Sequence, residues 1–148
     1  LAQGVEPKIK FVHNDTLANS YNVSFSGLKT AVINYVHKLE QNGEKIDIPQ
    51  ICSSFQHEAI DMLTAKVLRA CKEFGQNKLV LAGGVAANSY LRGSLTEKCK
   101  DLGISLYFPP IEFCTDNAGM IGSVAYYQLM TEEPADLNIS ALPSIELK

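Results

Sequence analysis

The sequence predicts an α/β fold, a small and incomplete mixed sheet with flanking helices. Two short apolar runs, "KLVLA" (78–82) and "ISLYF" (104–108), bracket a helical stretch, and a strand–helix–strand crossover of this kind makes its two strands parallel. Upstream, apolar residues recur at helical spacing through two longer segments. Of the 148 residues 46% are hydrophobic and 20% charged, the balance of an ordinary globular domain. A chain of this length that folds around one core buries roughly 70% of its unfolded surface.

Taken in order, "KIKFVH" (8–13) and "YNVSFS" (21–26) alternate in strand fashion around a turn-rich "NDTLANS", and together they predict two edge strands. From Leu28, the positions Ala31, Val32, Tyr35, Val36 and Leu39 mark one face of an amphipathic helix that ends at the glycine of "QNGEK". Asp47 followed by "IPQ" is a helix start, an N-cap with proline in the first turn. Ile51, Phe55, Met62, Leu63, Val67 and Phe74 then carry a long helix to Gly75. "KLVLA" and "ISLYF" are nearly uninterrupted apolar runs, the pattern of strands buried on both faces. Residues 88–102 between them predict a helix with Leu91, Leu95 and Leu102 inward, and Pro109 and Pro110 stop the second strand.

A last helix follows in "TDNAGMIGSVAYYQLM", where Ala118, Gly119, Gly122, Ser123 and Ala125 leave little bulk and permit close approach of a backbone or ligand. The polar, proline-punctuated stretch from Thr131 reads as a tail, so residues 1–130 form the lobe and 131–148 the tail. Two interior strands are few for four helices. With an opening at Leu1 and no basic-then-apolar leader, the expectation is a piece of a longer protein.

No window approaches the ~18 consecutive apolar residues of a membrane span. A net charge of −3 gives no overall basic field toward nucleic acid, so contact with one needs a local patch or a partner. Cys52, Cys71, Cys99 and Cys114 stand far apart without CxxC pairing, which predicts reduced thiols in a cytoplasmic protein. His13, His37 and His57 have no second histidine or cysteine at helical spacing, and neither HExxH nor GxSxG occurs.

Three stretches carry candidate chemistry. In "LVLAGGVAANSYLR" the glycines Gly83 and Gly84 follow a strand and precede a helix. Such glycines bring backbone close to a ligand at a helix N-terminus, yet they also serve a plain strand-to-helix turn. The pattern is neither GxGxxG nor a P-loop. Asn88 is placed either to cap the helix or to meet a ligand. In "FCTDNAGMIG", Asp116 stands at the start of a helix, where it either answers the helix dipole or offers a carboxylate to a metal ion. Because both stretches follow parallel strands, they open on the same edge of the sheet. In "SFSGLKTAV", Ser26 is a candidate cap, and Lys29 in the first turn opposes the dipole's preference, which leaves a ligand role and a solvated lysine both open.

Together, in this order and spacing, "SFSGLKTAV", "LVLAGGVAANSYLR" and "FCTDNAGMIG" resemble the C-terminal half of the tRNA N6-adenosine threonylcarbamoyltransferase family, the TsaD or YgjD proteins formerly labelled O-sialoglycoprotein endopeptidase. The resemblance implies an actin-like ATPase (ribonuclease H-like) C-terminal lobe, with nucleotide held between two lobes. It implies transfer of the threonylcarbamoyl group from threonylcarbamoyl-AMP to N6 of the adenosine beside the anticodon, in tRNAs reading codons that begin with A. By the same resemblance Asn88 contacts the adenylate, Gly83 and Gly84 line its adenosine, and Asp116 joins two histidines in holding one divalent metal, iron or zinc. The family's HxxxH pair, "SGGHT" segment and "DDAAGEAFDK" stretch do not occur in these 148 residues. The chain alone is therefore expected to transfer nothing and to bind adenine nucleotide, threonylcarbamoyl-AMP or ATP, weakly or not at all. Implied partners are tRNA, a TsaB-like paralogue and a TsaE-like small ATPase, with homodimerisation through apolar surface left uncovered. A non-catalytic actin-like binding or assembly module is the alternative, and the older metalloendopeptidase (glycoprotease) label and a sugar kinase are weaker rivals.

Overall fold

The structure, a computed structural model, describes residues 1–12 and 17–140. It divides into two compact units, Leu1–Cys114 and Thr115–Lys148.

In the first unit, helix α1 spans Ser26–Gln41 and α2 spans Ile48–Glu73. Asp47 caps α2 as its sequence predicts, its Oδ1 accepting from Gln50 N at 3.1 Å with Pro49 in the first turn. Ser26 does not cap α1. The helix propagates back through it, with Lys29 N donating to Phe25 O at 2.9 Å, so the N-cap is Phe25, whose side chain makes no capping hydrogen bond. Gly43 and Gly75 follow the two helices at φ of 66° and 61°, the left-handed conformation that ends a helix at little cost when no side chain is present.

Strand β1 (Lys78–Val80) and strand β2 (Ser105–Tyr107) pair in parallel, Leu79 opposite Leu106, with helix α3 (Ser89–Asp101) crossing between them. This is the predicted crossover. The edge strands expected at 8–13 and 21–26 do not form among the described residues 8–12 and 21–25, and His13 lies outside them. The backbone there finds other partners. Lys8 N and Ile9 N donate to Ser54 Oγ at 3.2 and 3.0 Å, and Ser53 Oγ donates to Val5 O at 2.5 Å, so the segment lies along α2. Next to the second segment, the carbonyls of Ala18 and Ser20 each accept from Arg69 at 2.7 Å, and Ser20 O also accepts from Lys66 Nζ at 3.2 Å. The described sheet is thus two-stranded and wholly parallel rather than mixed.

Nor are the strands buried on both faces. Leu79 and Leu106 pack inward, whereas Val80 and Tyr107 remain 70% and 53% exposed, because helices cover one face only. On that face Ile60 of α2 meets Leu91, Leu95 and Cys99 of α3. A second cluster joins Phe11, Leu28 and Ile51, with the predicted α1 stripe of Ala31, Val32, Tyr35, Val36 and Leu39 packed on it. Leu102 and Phe74, expected inside, are exposed, since each is the capping residue just beyond its helix.

In the second unit, helix α4 spans Ala118–Gln128 and is capped by Asn117, whose Oδ1 accepts from Met120 N at 3.1 Å. Asp116 therefore precedes the cap instead of standing in the first turn. No residue of α4 is buried, and Ile121 and Tyr127 are exposed. Among the described residues no helix is long and apolar enough to cross a membrane.

Candidate functional site

The turn after β1 is built by its glycines and closed by its asparagine. Leu81 N donates to Tyr107 O at 2.8 Å, the last bond between the strands. Two residues on, Gly83 takes φ 87° and ψ 172°, a region essentially restricted to glycine. A Cβ at Gly83 would meet nothing within 4 Å. Conformation, not crowding, therefore demands the glycine, and the space a side chain would fill is open for a ligand to approach the backbone. Gly84–Ala87 form one 3-10 turn, with Ala86 N donating to Gly83 O at 2.9 Å and the Ala86 side chain fully buried.

Asn88 then caps α3, its Oδ1 accepting from Leu91 N at 3.0 Å. Its Nδ2 donates across to Gln56 Oε1 of α2 at 3.2 Å. One turn into α3, Arg92 ties this loop to the one that follows β2. Its Nε donates to Ala86 O at 2.5 Å, its Nη2 donates to Pro109 O at 2.8 Å and lies 3.1 Å from Cys114 Sγ, and its guanidinium stacks 4.5 Å from the Phe108 ring centroid. The loops after the two strands thus share one edge of the sheet, as the crossover predicts.

Beside Asn88 a polar chain links α2 to α3. Tyr90 Oη lies 2.5 Å from His57 Nδ1, His57 Nε2 lies 3.2 Å from Asp61 Oδ2, and Lys98 Nζ donates to Asp61 Oδ1 at 2.8 Å. The carboxylate at Nε2 favours the proton there, which leaves Nδ1 to accept from the Tyr90 hydroxyl. Partial burial, then the Asp61 charge, hold the Tyr90 hydroxyl above its usual pKa, so it stays protonated. Gln56, His57, Ser89 and Tyr90 line a cavity of about 370 Å³ against the N-terminal residues. Sequence reasoning missed Gln56, Tyr90 and Arg92, whose partners are distant in the chain. The i,i+4 spacing of His57 and Asp61 was the one signal available.

Gly83, Gly84 and Asn88 are thus brought together on one turn. Ser26 and Lys29 line a different cavity of about 520 Å³ with Val23 and Phe55, which none of those three residues lines. In the second unit the Asp116 carboxylate is exposed, with no hydrogen bond or ion pair among the described residues. Among the described residues no three of His, Cys, Asp and Glu gather into a metal-binding group. Asp116 fits a metal as a single hard oxygen donor, and a closed site needs further ligands.

Residues 1–123 match the family model described as TsaD, tRNA N6-adenosine threonylcarbamoyltransferase. Curated relatives bearing that name include one from Clostridium botulinum (strain Kyoto / Type A2), 43% identical over 149 residues, which cover 98% of this chain and 43% of the relative. One from Clostridioides difficile (strain 630) is 41% identical over 129 residues, 87% of this chain and 38% of the relative. One from Moorella thermoacetica is 44% identical over 129 residues, again 87% and 38%. The chain spans about two-fifths of the length of the relatives it matches.

Proposed function

The chain belongs to the tRNA N6-adenosine threonylcarbamoyltransferase family, and from that membership we propose that the whole protein moves the threonylcarbamoyl group of threonylcarbamoyl-AMP to N6 of the adenosine beside the anticodon, in tRNAs reading codons that begin with A. The observation that carries this reading is the family match over residues 1–123, which takes in all three motifs. Residues 1–130 belong to an actin-like lobe and 131–148 to its tail. Working partners are tRNA, a TsaB-like paralogue and a TsaE-like small ATPase, and the setting is the cytoplasm.

The loop after β1 serves the adenylate. The open space at Gly83 lets backbone approach the adenosine, Gly84 opens the turn, and Asn88 offers a side-chain hydrogen bond from the head of α3. Holding the adenylate fixes where its carbamoyl carbon meets the attacking amine, and such positioning is a large part of what a group-transfer enzyme contributes. Asp116 supplies one oxygen ligand to a divalent ion, iron or zinc, completed by a histidine pair outside these residues. When bound, that ion supplies Lewis acidity toward the carbamoyl carbonyl. Incubating the full-length protein that carries this chain with threonylcarbamoyl-AMP and tRNA tests the proposal. Threonylcarbamoyladenosine in the digested tRNA is the expected product, and unmodified tRNA in the presence of the partners contradicts it.

A further inference from the structure

We propose that Gln56 is a positioning residue that orients the Asn88 amide, so that Asn88 meets the adenylate as a hydrogen-bond donor to an acceptor atom of its adenosine half. This rests on the reading of Asn88 as an adenylate contact and deepens it.

A side-chain amide has two acceptor positions on oxygen and two hydrogens on nitrogen. At Asn88 the helix cap uses one oxygen position, because Leu91 N–H can be accepted only by Oδ1. That bond decides which end of the amide faces which way. The nitrogen is thereby turned to α2, where Gln56 must present Oε1 rather than its own amide nitrogen, and the 3.2 Å contact is that pairing. One Nδ2 hydrogen and the second Oδ1 position remain, and of these the hydrogen lies at the end of the amide that Gln56 holds. Rotating the amide to offer oxygen there would break both bonds.

Gln56 is itself kept in register with Asn88. The adjacent pair, His57 on α2 and Tyr90 on α3, is linked at 2.5 Å, and Asp61 and Lys98 extend the tie one turn further. The two helices are therefore joined at successive positions, and the Gln56 carboxamide stands at the end of that seam nearest the glycine turn. This cross-helix bond is an addition to what a helix cap needs, since the cap is complete with Leu91 alone.

Steady-state kinetics of the full-length protein carrying this chain test the assignment, with threonylcarbamoyl-AMP varied and tRNA saturating. Gln56→Met removes the acceptor at similar length, and it should raise KM for the adenylate about tenfold with kcat little changed, the effect of about one hydrogen bond. Gln56→Glu keeps an acceptor toward Asn88 and should recover most of that loss. Asn88→Asp keeps the cap and removes the donor, so it should raise KM at least as much as Gln56→Met. If Asn88→Asp raises KM while Gln56→Met does not, the positioning role is overturned and the adenylate reading stands. An unchanged KM in Asn88→Asp overturns both. Nitrogen-labelled wild-type protein gives a test independent of how the variants fold. On adding AMP, one of the two Asn88 side-chain amide protons should shift strongly, and equal shifts of both would overturn the proposal.

Discussion

At Asn88 one side chain closes a helix and faces a turn that only glycine can make, so stability and binding separate by substitution. Asn88→Ala removes the cap and should cost about 1 kcal/mol in urea unfolding, whereas Asn88→Asp keeps an acceptor for Leu91 N and should stay near wild type. Gly83→Ala meets no steric barrier, yet its φ of 87° and ψ of 172° should cost about 1–3 kcal/mol by the same measurement. Leu91 has no exposed surface and anchors the cluster between α2 and α3, so Leu91→Ala should cost about 2–5 kcal/mol. The caps at Asp47 and Asn88 were legible because a cap involves residues three apart. The Gln56–Asn88 bond was not, because its partners are 32 positions apart and nothing local marks the pair.

Between elements, the α2–α3 seam and the strand crossover decide what holds. The crossover was readable from the order of an apolar run, a helix and a second apolar run. The edge strands were misread because period-two alternation around Lys8 and Ile9 is a strand signal only when another strand supplies partners, and here Ser54 of α2 supplies them. Within the seam, burial raises the Cys99 thiol above its usual 9.0, with the neighbouring Cys71 adding to the effect. The fold thus favours the protonated thiol. Its contribution is fully present below about pH 9 and is lost as pH rises through the higher folded value. Unfolding free energy should therefore fall as pH rises above about 9, and less steeply in a Cys99→Ser variant. Native-state titration with a thiol reagent should label Cys52, which is part-exposed, before the buried Cys71, Cys99 and Cys114.

For the whole molecule, the proposed function asks of this chain one side of a nucleotide site and one carboxylate toward a metal. The uncovered surfaces at Val80, Tyr107 and along α4 agree with a chain that spans about two-fifths of its relatives. The motifs made the family legible in the sequence, since three of them in order specify more than one glycine pair does. The 148 residues alone should leave tRNA unmodified. Mass spectrometry of tRNA digested after incubation with threonylcarbamoyl-AMP, the working partners and the full-length protein carrying this chain tests the central claim most directly, with wild type and Asn88→Asp compared at limiting adenylate. The account predicts threonylcarbamoyladenosine with wild type and at least about a tenfold lower rate with Asn88→Asp at unchanged melting temperature, and equal rates for the two proteins, or no product with wild type, would contradict it.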